Sequence, residues 1–251
     1  MLSVRNVNKD FTLSGGVLGI RSGIVAALRG VSFDVRKGET FALIGESGSG
    51  KTTLARIIAR LTPPTSGEVI FDKIGVDSFR KDVQIVFQNP YASLNPRMRA
   101  GEIIAEPLLI NRLEKKVSLR EKVVSLLRLV EMPSDAAERL PSQFSGGQRQ
   151  RICIARALAT SPKFLILDEP LSSLDLTIQA RMLDMLMALK ERLGMTYLFI
   201  THNLCLVKRV AGRVAVMKDG RVVEQGETAC VFFAPEHPYT KSLIAAASGR
   251  T

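Results

Sequence analysis

A glycine-rich octapeptide between two apolar segments constrains the fold more than any other feature of this 251-residue chain. Residues 45–52 read Gly-Glu-Ser-Gly-Ser-Gly-Lys-Thr and match the pattern G-x-x-x-x-G-K-[ST] at every position. The apolar run 41–44 predicts a buried strand before the octapeptide, and the run 52–60 predicts a helix after it. A loop in this position directs backbone N–H groups at phosphate oxygens beside a helix N-terminus. The sequence therefore predicts a nucleoside triphosphate site on an α/β fold.

The residues of this octapeptide have separate predicted roles. Lys51 is expected to reach the β- and γ-phosphates as a point charge, and the Thr52 hydroxyl is expected to bind Mg²⁺. Glycine is needed where a Cβ would hold the backbone away from the phosphate. A glycine-rich turn that matches by chance is the alternative, and the flanking strand and helix patterns disfavour it. The nucleotide-binding residues predicted in this segment are Gly45, Ser47, Gly48, Ser49, Gly50, Lys51, Thr52 and Thr53.

Two acids follow a second apolar run, Phe-Leu-Ile-Leu at 164–167. The carboxyl end of a strand is where an open α/β sheet places its ligand chemistry. Asp168 is therefore predicted to hold Mg²⁺, and Glu169 to act as the general base that polarises the attacking water. Two solvated acids that merely end a buried strand are the alternative, which the accompanying octapeptide disfavours.

Residues 144–148, Phe-Ser-Gly-Gly-Gln, resemble the LSGGQ signature of ATP-binding cassette (ABC) proteins, with Phe at the first position. The resemblance continues in order along nearly the whole chain. Gln88 is similar to the Q-loop glutamine, Asp175 to the D-loop aspartate and His202 to the switch histidine. The resemblance to ABC proteins implies a head-to-tail dimer in which one subunit's signature contacts the γ-phosphate bound by the other. The residues implied are Ser145, Gly146, Gly147, Gln148 and Asp175 for nucleotide, Gln88 and His202 for catalysis, and Thr52, Gln88 and Asp168 for the metal.

Each of these polar residues has a structural alternative. Gln88 could be a surface amide, Asp175 a helix N-cap before 177–193, and His202 a core histidine. Phe11 lies where the family stacks an aromatic ring on adenine. The glycine-containing segment 15–23 after it is longer than usual, however, so Phe11 could equally be part of the core.

The resemblance and the hydrophobic periodicity predict a P-loop NTPase of the ABC-ATPase type. Its expected class is α/β, with a mixed, largely parallel sheet, an N-terminal antiparallel β part and an inserted helical subdomain. Residues 1–251 form one nucleotide-binding domain in this prediction, with 1–97 and 152–251 as the core and 98–151 as the helical signature subdomain. The methionines of helix 177–193 fall on an apolar stripe, which predicts packing rather than ligand binding.

Composition limits the possible binding partners and cellular location of the protein only in part. The net charge of +11 is dispersed along the chain, and nucleic acid, nucleotide or an acidic membrane surface could each account for it. No apolar run approaches the ~20 residues that span a bilayer, and the N-terminus reads as a strand rather than a signal peptide. Three cysteines without C-x-x-C spacing predict small buried hydrophobes in a reducing compartment.

Three further segments resemble the ATPases of oligopeptide, dipeptide and nickel importers: 87–97, 105–111 and 235–240. Asn-Pro turns and a surface histidine, His237, are the structural alternatives. The resemblance implies ATP-driven import of a peptide or of nickel or another metal chelate. The sequence lacks the cysteine-containing tail common in the peptide group beyond Thr251, which leaves both cargo classes open.

The same resemblance implies ATP and Mg²⁺ as cofactors and a peripheral place on the cytoplasmic face of a bacterial inner membrane. The expected partners are two permease subunits, an extracytoplasmic solute-binding protein and a second, homologous ATPase chain, with a homodimer still possible; no nucleic acid is expected. The alternative is the ATPase of an exporter or of a soluble system linked to nucleic acid or translation. A single cassette with no long coiled coil disfavours the soluble systems.

Overall fold

The computed structural model describes residues 1–15, 20–89, 93–114 and 116–247. Its internal contacts divide the chain into two compact units, one of Met1–Lys73 with Leu198–Thr251 and one of Ile74–Tyr197. The strands, in chain order, are β1 (Leu2–Gly15), β2 (Ile20–Val35), β3 (Thr40–Ile44), β4 (Ser66–Phe71), β5 (Val83–Val86), β6 (Phe164–Asp168), β7 (Thr196–Ile200), β8 (Arg213–Lys218) and β9 (Arg221–Glu227).

The helices occupy most of the chain between these strands. In chain order they are α1 (Lys51–Ile58), α2 (Phe79–Asp82), α3 (Ala100–Ile110), α4 (Lys116–Leu129), α5 (Gly146–Leu158), α6 (Leu176–Leu193), α7 (Leu204–Val210), α8 (Thr228–Phe233) and α9 (Pro238–Ala247). Two short 3₁₀ helices, Ser134–Glu138 and Pro141–Gln143, precede α5. The alternation of strands with helices confirms the predicted α/β class.

The first unit begins with an antiparallel sheet in the order β2-β1-β4. Val4 lies opposite Phe33 on β2 and Val69 on β4, so β1 is the central strand. Val4 and its cross-strand neighbour Phe33 are buried, and a shift of register between Val4 and Val7 lets Val7 be buried as well. This sheet is the predicted N-terminal antiparallel part.

The rest of the first unit builds the strand that leads to the octapeptide. Strand β3 pairs in parallel with β8, which pairs antiparallel with β9. All five residues of β3 are buried, as expected for a strand covered on both faces. Ala42 and Ile44 of β3 share a core cluster with Val207 of α7 and Tyr239 of α9. Residue 45 therefore leaves a strand that is fixed on both sides.

The second unit contains the parallel pair β5–β6 and the helices α2 to α6, with Val86 opposite Leu167 at the carboxyl ends of the two strands. Met182 and Met185 of α6 are buried, which confirms that the methionine stripe is packing. The limits predicted for the helical subdomain, 98–151, stay a prediction. Among the described residues, no helix is both long and apolar enough to cross a membrane.

One sequence expectation about the cysteines is wrong. Cys153 on α5 is buried, but Cys205 and Cys230 are exposed. The helical period explains the difference, since α7 buries Leu204 and Val207 and so turns Cys205 outward. Burial raises the pKa of the Cys153 thiol to about 11, against a smaller opposing effect of the Arg156 charge.

Candidate nucleotide site

The phosphate loop, residues 45–52, encloses the ammonium group of its own lysine. Lys51 Nζ donates to Gly45 O at 2.9 Å, to Glu46 O at 2.7 Å and to Ser49 Oγ at 3.2 Å. Only 5% of Lys51 is exposed, and a buried ammonium needs such oxygen partners to offset the loss of water. Thr52, Ser47 and Gly48 are exposed, so the loop presents backbone and hydroxyl groups to solvent around a fixed cation.

Two glycines of the loop are required by close approach of other chain segments. A Cβ on Gly45 would lie 2.2 Å from the carbonyl oxygen of Met217 on β8. A Cβ on Gly50 would lie 2.7 Å from Ala27 O, and the φ of Gly50, 103°, lies in the left-handed region at the start of α1. The sequence predicted glycine here for phosphate access, and the contacts add a packing reason.

Neighbouring elements of the first unit brace the loop from outside. Gly220 N, in the turn between β8 and β9, donates to Ser49 O at 3.1 Å. Glu46 N donates to the hydroxyl of Tyr239 on α9 at 3.1 Å. Neither Gly220 nor Tyr239 has a role predicted from the sequence. The only signal for Tyr239 was its place in segment 235–240, which had been singled out for its resemblance to importers.

In the second unit, the two predicted acids lie at the end of β6. Asp168 is 2% exposed and Glu169 is half-buried. Gln88 Nε2 donates to Glu169 Oε2 at 3.0 Å, so two residues 81 positions apart in sequence meet here. Glu169 also has a φ of 48°, which is uncommon for a residue with a side chain and costs about 1–3 kcal/mol of backbone strain. Strain of this kind is typical of functional positions.

The signature residues open α5 through a capping box. Ser145 Oγ accepts from Gln148 N at 3.3 Å, and Gln148 Oε1 accepts from Ser145 N at 3.0 Å. Ser145 is exposed, with Gly146 and Gly147 half-buried beside it. A Cβ on Gly147 would lie 3.1 Å from Ile178 Cγ2, so α6 packs directly on the signature. The S-x-x-Q spacing of residues 145–148 is the sequence signal for this capping box.

Asp175 fits the structural alternative stated for it, whereas His202 and Phe11 do not. Asp175 accepts from Ile178 N at 2.9 Å, so it is the N-cap of α6 that the structural alternative proposed. His202 is exposed rather than a core histidine, and it follows Thr201, whose N–H donates to Leu43 O on β3 at 3.2 Å. Phe11 is 42% exposed with Lys9 Nζ 5.1 Å from its ring centroid, so it is not part of the core.

Part of the predicted importer segment 87–97 lies outside the described residues, namely Pro90, Tyr91 and Ala92. Two contacts hold the described part of this segment in place. Leu94 is buried, and Arg156 of α5 donates to Ser93 O at 2.7 Å.

Comparison with known proteins decides the family. A family model described as ABC transporter matches residues 28–172. The chain belongs to this family. The cassette is 46% identical over 230 residues to the dipeptide transport ATP-binding protein DppF of Haemophilus influenzae, covering 88% of this chain and 70% of the relative. It is also 44% identical to the glutathione import ATP-binding protein GsiA of Escherichia coli K12, covering 98% of this chain but only 41% of that longer relative.

Solved structures agree with the family and the predicted fold class. The dimeric cassette MJ0796, solved in a post-hydrolysis state with ADP and Pi, superposes with a TM-score of 0.79 at 31% identity over 91% of this chain and 99% of its own. The cassette cbiO1 of Clostridium perfringens, part of the ABC transporter complex cbiONQ, gives 0.77 at 29% identity over 93% of this chain and 90% of its own. The cassette is therefore an ATP-binding protein and an ATPase of the ABC type.

Proposed function

We propose that this ATPase powers the import of a small peptide through a membrane ABC transporter. The observation that carries the proposal is its 46% identity, over 88% of the chain, to a protein named for dipeptide transport. The relatives named for glutathione import support the same cargo class, because glutathione is itself a small peptide. A nickel or other metal chelate, the second cargo that the sequence leaves open, is an outcome of the test below.

The phosphate loop binds the triphosphate of ATP in this proposal. Lys51 acts on the β- and γ-phosphates, and the backbone of the loop supplies N–H donors. Phe11 offers an exposed ring for stacking on adenine. The nucleotide-binding residues proposed are Phe11, Gly45, Ser47, Gly48, Ser49, Gly50, Lys51, Thr52 and Thr53, with Ser145, Gly146, Gly147, Gln148 and Asp175 acting on the partner's nucleotide.

Hydrolysis depends on Glu169 as the general base. The hydrogen bond from Gln88 Nε2, 3.0 Å long, holds the Glu169 carboxylate in one orientation, which favours in-line approach of water. His202 contributes a ring nitrogen that positions the γ-phosphate and the water. Asp175 caps α6, whose Ile178 packs close to Gly147 of the signature, and this suits a role at the interface between subunits.

The oxygen groups of Thr52, Gln88 and Asp168 fit Mg²⁺, which prefers hard oxygen ligands and commonly takes only one or two carboxylates from a protein. Among the described residues, no group of three or more acidic, histidine or cysteine side chains is placed to hold a metal ion by itself. Because Gln88 Nε2 donates to Glu169, the amide oxygen of Gln88 is the atom that would bind a cation. Bound Mg²⁺ would neutralise charge on the β- and γ-phosphate oxygens.

The active assembly is a head-to-tail pair of cassettes with two permease subunits and an extracytoplasmic solute-binding protein. The exposed capping serine of the signature supports this, and the neighbour MJ0796 is itself dimeric. The second cassette is a homologous chain. Closure of the pair acts on the permease through segment 88–97, on the cytoplasmic face of the membrane.

Uptake by cells tests the proposal. A strain lacking this gene should lose uptake of labelled dipeptide, and the wild-type gene should restore it. Glu169→Gln should not restore uptake, whereas Glu191→Gln, which neutralises an exposed carboxylate on α6, should. If the deletion strain loses only nickel uptake and the wild-type gene restores it, the cargo is a metal chelate. If the strain loses uptake of neither dipeptide nor nickel, the import proposal is refuted. Counting the ATPase chains of the purified transporter by mass distinguishes a heterodimer from a homodimer.

A further inference from the structure

Segment 235–240, which enters α9, contacts the phosphate loop but has no part in the function proposed above. We propose that Tyr239 is a positioning residue for ATP binding: its hydroxyl orients the peptide group between Gly45 and Glu46, whose carbonyl holds Lys51. The inference rests on the phosphate-binding role proposed for Lys51. Three sets of contacts carry it.

The first set fixes the start of α9. Glu224 on β9 accepts from the backbone N–H of Glu236 at 2.9 Å and of His237 at 3.0 Å. Burial opposes the charge on Glu224, but the Thr240 side chain, these two backbone bonds and the neighbouring His237 together lower its pKa, so the carboxylate stays charged at neutral pH. His237 Nδ1 then accepts from Tyr239 N at 3.1 Å, which caps the first turn of α9. The segment is therefore tied to β9 before it reaches the loop.

The second set fixes the Tyr239 ring. Only 7% of Tyr239 is exposed, and it packs in the cluster that contains Ala42 and Ile44 of β3. Lys218 Nζ lies 4.8 Å from the ring centroid. Burial raises the pKa of the phenol, and the carboxylates of Glu46 and Asp219 raise it further against the Glu46 backbone hydrogen bond. The hydroxyl is therefore neutral and has a lone pair with which to accept.

The third set concerns one peptide plane of the loop. Glu46 N donates to Tyr239 Oη at 3.1 Å, and Gly45 O, on the opposite side of the same planar unit, accepts from Lys51 Nζ at 2.9 Å. Because a trans peptide is rigid, a bond that orients its N–H also orients its C=O. Tyr239 thus determines the direction of a carbonyl that holds the Lys51 ammonium.

The test is Tyr239→Phe in the full chain, which removes the hydroxyl and keeps the ring contacts. The dissociation constant for MgATP should rise about 3- to 10-fold, the effect of losing one net hydrogen bond. In the intact transporter KM for ATP should rise by a similar factor with a smaller change in kcat. His237→Ala, which removes the cap but keeps the hydroxyl, should shift the same constants in the same direction and by less.

A matched control separates positioning from stability. Tyr197→Phe removes a fully buried phenol hydroxyl in the second unit, where it donates to Leu186 O at 3.0 Å. It should lower the unfolding temperature and leave the MgATP constant unchanged. The inference would be overturned if the MgATP constant rose equally for Tyr239→Phe and Tyr197→Phe. It would also be overturned if neither Tyr239→Phe nor His237→Ala raised the constant while Lys51→Ala lost ATP binding. Wild-type affinity in Lys51→Ala would instead overturn the role of Lys51, and this inference with it.

Discussion

Replacing Glu169 with Gln should stop ATP hydrolysis while leaving nucleotide binding intact. Glutamine has the same length and presents an oxygen that can accept from Gln88 Nε2, so the 3.0 Å contact can persist. The positive φ of residue 169, 48°, costs the two side chains the same strain. The substitution therefore removes the base and little else.

The size of the effect follows from the role. A positioned general base contributes about 10²- to 10⁴-fold, which corresponds to roughly 3–5 kcal/mol of the activation barrier. Phosphate release from MgATP in a single turnover should slow by that factor. Affinity for a fluorescent ATP analogue should stay within about twofold of wild type, since one binding contact is worth more than that. ATP-bound dimer should accumulate on gel filtration.

Glu191→Gln is the control, because it changes charge on an exposed part of α6 and should leave turnover unchanged. Hydrolysis by the Glu169 variant within a few-fold of wild type would refute the reasoning and assign activation of the water to another group. A large loss of ATP affinity would show that residue 169 acts in binding rather than in catalysis.

Three further predictions concern the signature, the α6 cap and nucleic acid. Ser145→Arg should abolish ATP-driven dimerisation, measured by light scattering, and keep ATP binding. Ser145→Ala, which also loses the cap, should dimerise better than the Arg variant. Normal dimerisation of the Arg variant would contradict the signature role. Asp175→Ala should lower stability by about 1 kcal/mol in chemical unfolding, whereas Asp175→Asn keeps the cap. The Asn variant should still lose ATPase activity, because the proposed function has Asp175 act on the partner's nucleotide; wild-type activity in this variant would leave Asp175 with capping alone. DNA or RNA should bind only weakly, lose binding steeply with salt and leave ATPase activity unstimulated, and stimulation at physiological salt would favour the soluble alternative.

Strands and helices were predicted best where a clear hydrophobic pattern ends at a residue that stops or starts the element, such as glycine or a capping aspartate. Strand β3 was expected at 41–44 and begins one residue earlier, at Thr40. Helix α1 was expected at 52–60 and spans Lys51–Ile58, because the left-handed Gly50 begins it and the turn ends it at Ala59. Asp175 was recognised as a possible N-cap, since Asp before an apolar helix is a local signal.

Contacts between distant residues were not predictable in the same way. Glu46 and Tyr239 are 193 positions apart, and nothing in either neighbourhood signals that a loop N–H will meet a phenol. The orientation of Cys205 and Cys230 also escaped prediction, because both lie on short helices whose inward face is set by packing rather than by a long period. Gln88 and Glu169 were each predicted as site residues, but their direct bond required the fold.

The buried thiol of α5 has a practical consequence for observing the cassette at work. Cys153 follows the signature within the same helix, and its pKa of about 11 leaves almost no reactive thiolate at neutral pH. Cys205 and Cys230 are exposed and would react first with a thiol reagent. Once those two are blocked, the rate at which Cys153 becomes labelled reports how often the signature helix opens. Labelling of this native thiol therefore measures local unfolding during the ATP cycle.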